Sequence, residues 1–214
     1  MDSLREIPLF PLRTVLFPNS TIELRVADEP YKQIVTKCLD SGSDIGVFLT
    51  RSSYGSYKIA TQNTVGTLAE ISGVRHFAKN ELSITITGKS RFRVDNTIQN
   101  NPYQIATVEA IPELVDITHG ALSDEVYQSL DIYLGLVSQL QGEWIRDFDL
   151  PDDPTQLSFA VGTSIIGSIT RKQQILEATT VQQRLKIGLN LLKRETRRLK
   201  QEISERHYLR SSSN

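Results

Sequence analysis

The run Ile7–Pro18, IPLFPLRTVLFP, sets three prolines among seven large apolar side chains. Proline locks φ and has no N–H to donate, so neither a helix nor an interior strand is expected to pass through Pro8, Pro11 and Pro18. Seven apolar residues are still too many to leave in water. The stretch is expected to lie extended and buried, at a barrel seam or a sheet edge.

Downstream of Pro18 the chain reads as short strands around one helix. Thr21–Val26 alternates, with Ile22, Leu24 and Val26 on one face. Pro30–Leu39 switches to helical spacing through Tyr31, Ile34, Val35, Cys38 and Leu39, and Gly42 is placed to stop it. Ile45–Leu49 predicts a buried strand and Arg51–Gln62 a polar loop. Further strands are predicted at Val65–Ile71, Leu82–Thr87, Arg91–Ile98 and Tyr103–Ile111. Many short strands favour a closed or nearly closed sheet, because closure removes adhesive edges.

Beyond Pro112 the period becomes helical, and the halves divide near Pro112–Gly120. Helices are predicted at Ala121–Leu140 and Leu157–Ile169, the second opened by Asp153 as cap and Pro154 as first residue. Thr180 with Gln183 matches a capping box opening the last helix. Leu185, Leu189, Leu192, Thr196, Leu199 and Ile203 form a stripe there, read as core in preference to a coiled-coil seam. The fold class is therefore α+β: a β-rich part over 1–115, a helical bundle over 116–209 and a disordered tail over 210–214.

A chain of 214 residues buries roughly 70% of its unfolded surface without disulfide or metal staples. The single cysteine, Cys38, suits a reducing compartment. The start, MDSLREIPLF, lacks the charge and apolar pattern of a secretion signal, and no apolar run is long enough to span a membrane. A cytoplasmic location is expected. Net charge is −1 but unevenly spread: Glu109–Asp153 has 11 acidic residues against one basic, and Pro154–Asn214 has 11 basic against 4 acidic. Helices lying side by side and offsetting each other explain this better than two partner surfaces. A near-neutral total argues against nucleic-acid binding.

Catalytic signals fail on inspection. Gly88-Lys89-Ser90 suggests a phosphate loop, but the glycine required five positions earlier is Ser83, inside an alternating strand pattern. A hairpin turn at Gly88 is the better reading. Gly162-Thr163-Ser164 lacks both the second glycine and the preceding strand of a nucleophile elbow. His76, His119 and His207 lie in different segments, and Asp147, Asp149, Asp152 and Asp153 lack the spacing of a calcium loop. Cys38 sits on a helix face meant for packing. No cofactor or metal is expected.

Binding signals are more numerous. Tyr54 and Tyr57, in the polar loop SSYGSYK, could anchor a partner. Arg75, His76 and Phe77 lie between two strands and could border the same mouth. Arg91 and Arg93 share a strand face, read as the outer one. Lys193, Arg194, Arg197, Arg198 and Lys200 make a positive region read as a solvated helix face. Phe10, Leu12, Phe17 and Phe92 are assigned to core.

The opening run, the following NSTIELRV and EPYKQIVTKCLDSG, and then VGTLAEISGV, GKSRFRV, PYQIATVEAIP and KQQILEATTVQQRL come in one order. In that order they resemble the N-terminal, substrate-binding domain of the ATP-dependent protease Lon. The resemblance implies a PUA-like pseudo-barrel followed by a helical bundle; strand period alone leaves an OB-type barrel open. Lon's serine–lysine dyad lies in a C-terminal domain that no segment here resembles. With the sequence ending at Asn214, the expectation is a non-catalytic module that binds unfolded or exposed protein segments. The expected site is a groove between barrel and helices, near Arg51–Gln62 and Val74–Asn80. After Leu24–Val26 the chain has ADEPY, where many relatives carry an aromatic-containing variant, so its specificity is expected to differ. Two alternatives stand beside this reading: an RNA-binding PUA-like module, and an adaptor whose last helix assembles with a separate ATPase or protease. No oligomeric state is implied.

Overall fold

A computed structural model describes residues 4–50, 60–61, 64–77, 81–114, 120–142 and 148–211, with side chains to 206. The chain forms two compact units, Met1–Pro112 and Glu113–Asn214. The first holds β1 (Arg5–Leu12), β2 (Thr21–Val26), α1 (Glu29–Ser41), β3 (Ile45–Leu49), β4 (Val65–His76), β5 (Leu82–Gln99) and β6 (Ile105–Ala110). The strands form one sheet in the order β2-β5-β4-β3-β1-β6, and β5 also pairs with β6. That extra pairing closes five strands into a ring, with β2 appended to the first half of β5.

The proline-rich opening runs inside the sheet, contrary to expectation, and the register explains how. Arg5–Pro8 pairs antiparallel with β6, whereas Leu9–Leu12 pairs parallel with β3. Backbone donors alternate sides along a strand. The N–H of Leu9 points toward β6, donating to the Gln104 carbonyl at 2.8 Å. Pro8 therefore lacks its donor on the β3 side, where the ladder has not begun. Pro11 lacks its donor on the β6 side, where the ladder has ended. Both faces of β1 are covered, which accounts for the nearly unbroken apolar run. Ile7 and Leu9 pack with Phe48, Phe92 and Val108, while Phe10 and Leu12 pack with Ile34, Val35 and Cys38 of α1.

Two local readings are corrected. No turn occurs at Gly88: β5 runs straight through it as one strand. Gly88 exchanges backbone bonds with the segment after β1, donating to the Ser20 carbonyl and accepting from the Asn19 N–H, both at 2.9 Å. A Cβ there would collide with the Phe17 carbonyl, so the position needs glycine for close approach of backbone. Arg91 does not face solvent; it is 0% exposed, as is Phe92 on the opposite face. Alternation places Arg91 with Arg93, but both sides of β5 are covered at this point.

The second unit holds α2 (Gly120–Gln141), α3 (Pro154–Ser164), α4 (Ile169–Glu177) and α5 (Val181–Ser211). Asp153 caps α3 as expected, accepting from the Gln156 N–H at 2.8 Å. The helix predicted over Leu157–Ile169 instead stops at Ser164, turns through Gly167 at φ 133°, and restarts as α4. The hydroxyl of Tyr133 on α2 accepts from the Ile166 N–H at 2.9 Å, pinning that turn. Thr180 caps α5 through the Gln183 N–H at 3.2 Å, but the Gln183 side chain reaches Thr179, not Thr180. Leu185, Leu189, Leu192 and Leu199 are buried, with Thr196 and Ile203 half-buried, so the stripe is core. Helix α5 reaches Ser211 and takes in Arg210, a residue expected in the tail.

Candidate functional site

Where β1 parts from β6 a cleft opens, of about 580 Å³ and built wholly from the first unit. That volume lies in the range of ligand-binding clefts. Leu9, Pro11 and Phe48, from β1 and β3, form one wall. The start of α1 forms a second, with Asp28 and Glu29 at its mouth and Pro30 and Tyr31 further along. The β5–β6 connection, with a cis Asn101–Pro102 peptide, supplies Pro102, Tyr103 and Gln104.

Each wall has a local cause. Asp28 is the N-cap of α1 in extended geometry and Pro30 falls in its first turn, which suits proline's fixed φ. Tyr31 is held by the Phe10 ring, centroids 4.8 Å apart. The Tyr103 carbonyl accepts from Gln99 Nε2 at 3.3 Å, bracing the connection. Gln104 spends its side-chain amide on the backbone of Ala60, with bonds of 2.7 and 2.9 Å. Asp28 and Glu29 are the charged side chains among the described residues lining the cleft. Glu29 lies 3.5 Å from Lys32, an exposed pair of small value.

The sequence candidates fall elsewhere. Tyr54 and Tyr57 lie outside the described residues. Arg75 and His76 end β4, opposite Ser83 and Leu82. Phe77 donates its N–H to the Glu81 carbonyl at 2.8 Å, and its ring is 47% exposed with the Arg25 guanidinium 5.9 Å from its centroid. None of these three lines the cleft. The reading from sequence missed Tyr31 and Tyr103, taking one as helix packing and the other as strand. Their shared signal is a Pro–Tyr dipeptide, Pro30-Tyr31 and Pro102-Tyr103, and both occurrences meet at this cleft.

Other groups offer little chemistry. Gly88-Lys89-Ser90 lies within β5, with Lys89 2.9 Å from both Asp44 and Glu70. Cys38 is 2% exposed, and burial pushes its thiol pKa up, away from the reactive thiolate. Among the described residues no three His, Cys, Asp or Glu side chains gather as a metal site. The basic face of α5 is partly neutralised: Lys193 pairs with Glu125 of α2 at 2.6 Å, and Arg194 and Arg198 both reach Glu195. No helix among the described residues is long and apolar enough to cross a membrane.

Residues 6–194 match the sequence profile of the ATP-dependent protease La (LON) substrate-binding domain. The chain belongs to this Lon substrate-binding domain family. Lon protease 2 of Sorangium cellulosum is 30% identical over 208 residues, covering 92% of this chain and 26% of that protein. Lon protease of Koribacter versatilis is 29% identical over 206 residues, covering 93% and 25%. The chain thus spans about a quarter of the length of these Lon relatives. Among solved structures, the N-terminal domain of Mycobacterium avium complex Lon protease superposes with a TM-score of 0.68 at 16% identity, over 88% of this chain and 98% of that one. A Lon N-terminal domain protein from Xanthomonas campestris gives 0.61 at 23%, over 85% and 95%. The α+β architecture, β-rich first and helical after, is that of the Lon N-terminal domain.

Proposed function

We propose that the chain is a recognition module that takes up exposed or unfolded protein segments and performs no chemistry on them. One observation carries the reading: two Pro–Tyr pairs from distant segments wall a cleft of about 580 Å³ in a domain whose family is described by substrate binding. Tyrosine and proline offer rigid, largely apolar contact at small entropic cost, as peptide-binding grooves require. Ordering a disordered segment offsets much of that gain, so affinity should be modest, about micromolar. Unfolding or cutting the captured segment falls to an ATPase and a peptidase such as Lon itself carries. A reducing, cytoplasmic setting suits the buried thiol of Cys38.

The test is fluorescence anisotropy with labelled casein, an unfolded polypeptide, against the wild type and a Tyr31→Ala/Tyr103→Ala variant. Because Tyr31 packs on Phe10, Tyr103→Ala alone is run alongside, with thermal unfolding as the control. Binding weakened about tenfold or more in folded variants supports the reading. Equal binding by variants and wild type removes the cleft from it. Turnover of ATP, or peptide cleavage by the purified chain, overturns its non-catalytic part.

A further inference from the structure

We propose that the cleft selects extended segments in which a lysine or arginine stands close to an aromatic, aliphatic or proline residue. This rests on the protein-binding reading above and names the chemistry of the partner.

The geometry first removes an alternative. A partner strand added to the free side of β1 beyond Leu9 would need backbone donors there. Pro11 is the residue whose donor would point that way, and it has none. Pairing through main-chain bonds, which is indifferent to sequence, is broken at the cleft wall. Side-chain contacts must carry recognition.

Those contacts have a definite character. The inner walls offer two tyrosine rings and proline rings, surfaces on which a proline, an aliphatic group or another ring can lie. At the mouth stand Asp28 and Glu29, with no lysine, arginine or histidine among the described lining residues to offset them. The N-terminus of α1 contributes roughly half a positive charge, which stabilises the two carboxylates without cancelling them. The Glu29 carboxylate is 66% exposed, so its contact with Lys32 is easily exchanged for one with a partner. A lysine or arginine suits this mouth because its apolar stem lies along tyrosine and proline while its charge reaches the carboxylates. Cation–π attraction to tyrosine adds to the preference. A segment rich in aspartate or glutamate would be repelled.

The experiment uses the full chain and three short fluorescein-labelled peptides with identical tyrosine, leucine and proline positions. The remaining positions are lysine and arginine in one, glutamine in the second and glutamate in the third. The cationic peptide should bind about tenfold more tightly than the anionic one, and the advantage should shrink as salt rises. Asp28→Asn/Glu29→Gln should abolish the difference and leave the glutamine peptide unaffected. Asparagine caps helices as well as aspartate does, and the Asp28 side chain makes no capping bond, so the fold is not at stake. If all three peptides bind wild type equally and Tyr103→Ala weakens all three, charge selection is wrong while the cleft remains a peptide site. A cationic preference that survives Asp28→Asn/Glu29→Gln also overturns the inference. If no peptide binds at all, the underlying reading falls with it.

Discussion

Gln104 holds Ala60 by both of its backbone groups: Nε2 donates to the Ala60 carbonyl at 2.7 Å while Oε1 accepts from its N–H at 2.9 Å. A side-chain amide here takes the place of a neighbouring strand. The same Nε2 lies 3.1 Å from Thr97 Oγ1, and the Gln104 carbonyl receives the Leu9 N–H. One residue thus fastens β1, β5 and the chain entering β4, beside the cleft.

Gln104→Leu removes both bonds and strands two buried backbone groups. The expected cost is about 2–3 kcal/mol in urea unfolding. Gln104→Glu should fail as well, because an ionised carboxylate cannot donate to the Ala60 carbonyl. Hydrogen exchange isolates the clamp from general destabilisation: the Ala60 amide should exchange faster in both variants. Unchanged protection of that amide would mean something else covers it.

A second buried polar group organises the helical unit. Arg184 is fully buried, bonded to Glu113 at 2.6 Å and Ser158 Oγ at 2.9 Å, with its guanidinium 4.6 Å from the centroid of the Phe159 ring. Glu113→Gln leaves that guanidinium without its counter-charge and should cost about 3 kcal/mol. Arg184→Met removes the charge itself. The double variant Glu113→Gln/Arg184→Met should therefore be less destabilised than the two single losses added together. Simple additivity in denaturant titrations would refute the coupling.

Features with local causes could be read from the sequence. Asp153 and Thr180 cap helices because a short polar side chain reaches a backbone N–H three residues on, and both bonds form. The leucine stripe of α5 is likewise a matter of spacing. Features made by distant partners could not be read. Nothing near Gly88 announces that the Phe17 carbonyl will press against it. Alternation put Arg91 beside Arg93 but could not tell that both faces of β5 are covered. The apolar run after Asp153 hid the break at Gly167, since helix and buried turn are equally apolar there. The cleft is the extreme case: Tyr31 and Tyr103 are joined solely by the place where β1 leaves β6. Local composition pointed instead to a polar tyrosine loop and to the end of β4, and Arg75, His76 and Phe77 do not reach the cleft.

Gly88→Ala tests whether the glycine serves close approach or a turn. A turn glycine with positive φ would lose about 1 kcal/mol on gaining a methyl. In β5 the methyl instead meets the Phe17 carbonyl, and relief requires parting the paired segment Asn19–Ser20 from the strand. The expected loss is about 2–3 kcal/mol, with faster exchange at the Gly88 and Asn19 positions. Glycine-like stability in the alanine variant would contradict that packing.

Burial of Cys38 carries a signed dependence on pH. Desolvation holds its thiol pKa above the ordinary value of 9.0. Below that value both folded and unfolded chains keep the thiol neutral, and the group adds no slope. Above it the unfolded chain ionises first and is favoured, so stability falls with rising pH until the folded thiol also ionises. Lys89 and Tyr133, also shifted upward, contribute in the same alkaline range, which makes the difference between variants the informative quantity. Urea midpoints of wild type and Cys38→Ala should lie a constant distance apart from pH 6 to 8. Beyond about pH 9 the wild type should fall more steeply. In the native state at neutral pH the thiol should react with an aromatic disulfide reagent only as fast as the chain opens. Rapid native labelling, or parallel pH curves for the two proteins, would show that α1 does not shield this sulfur.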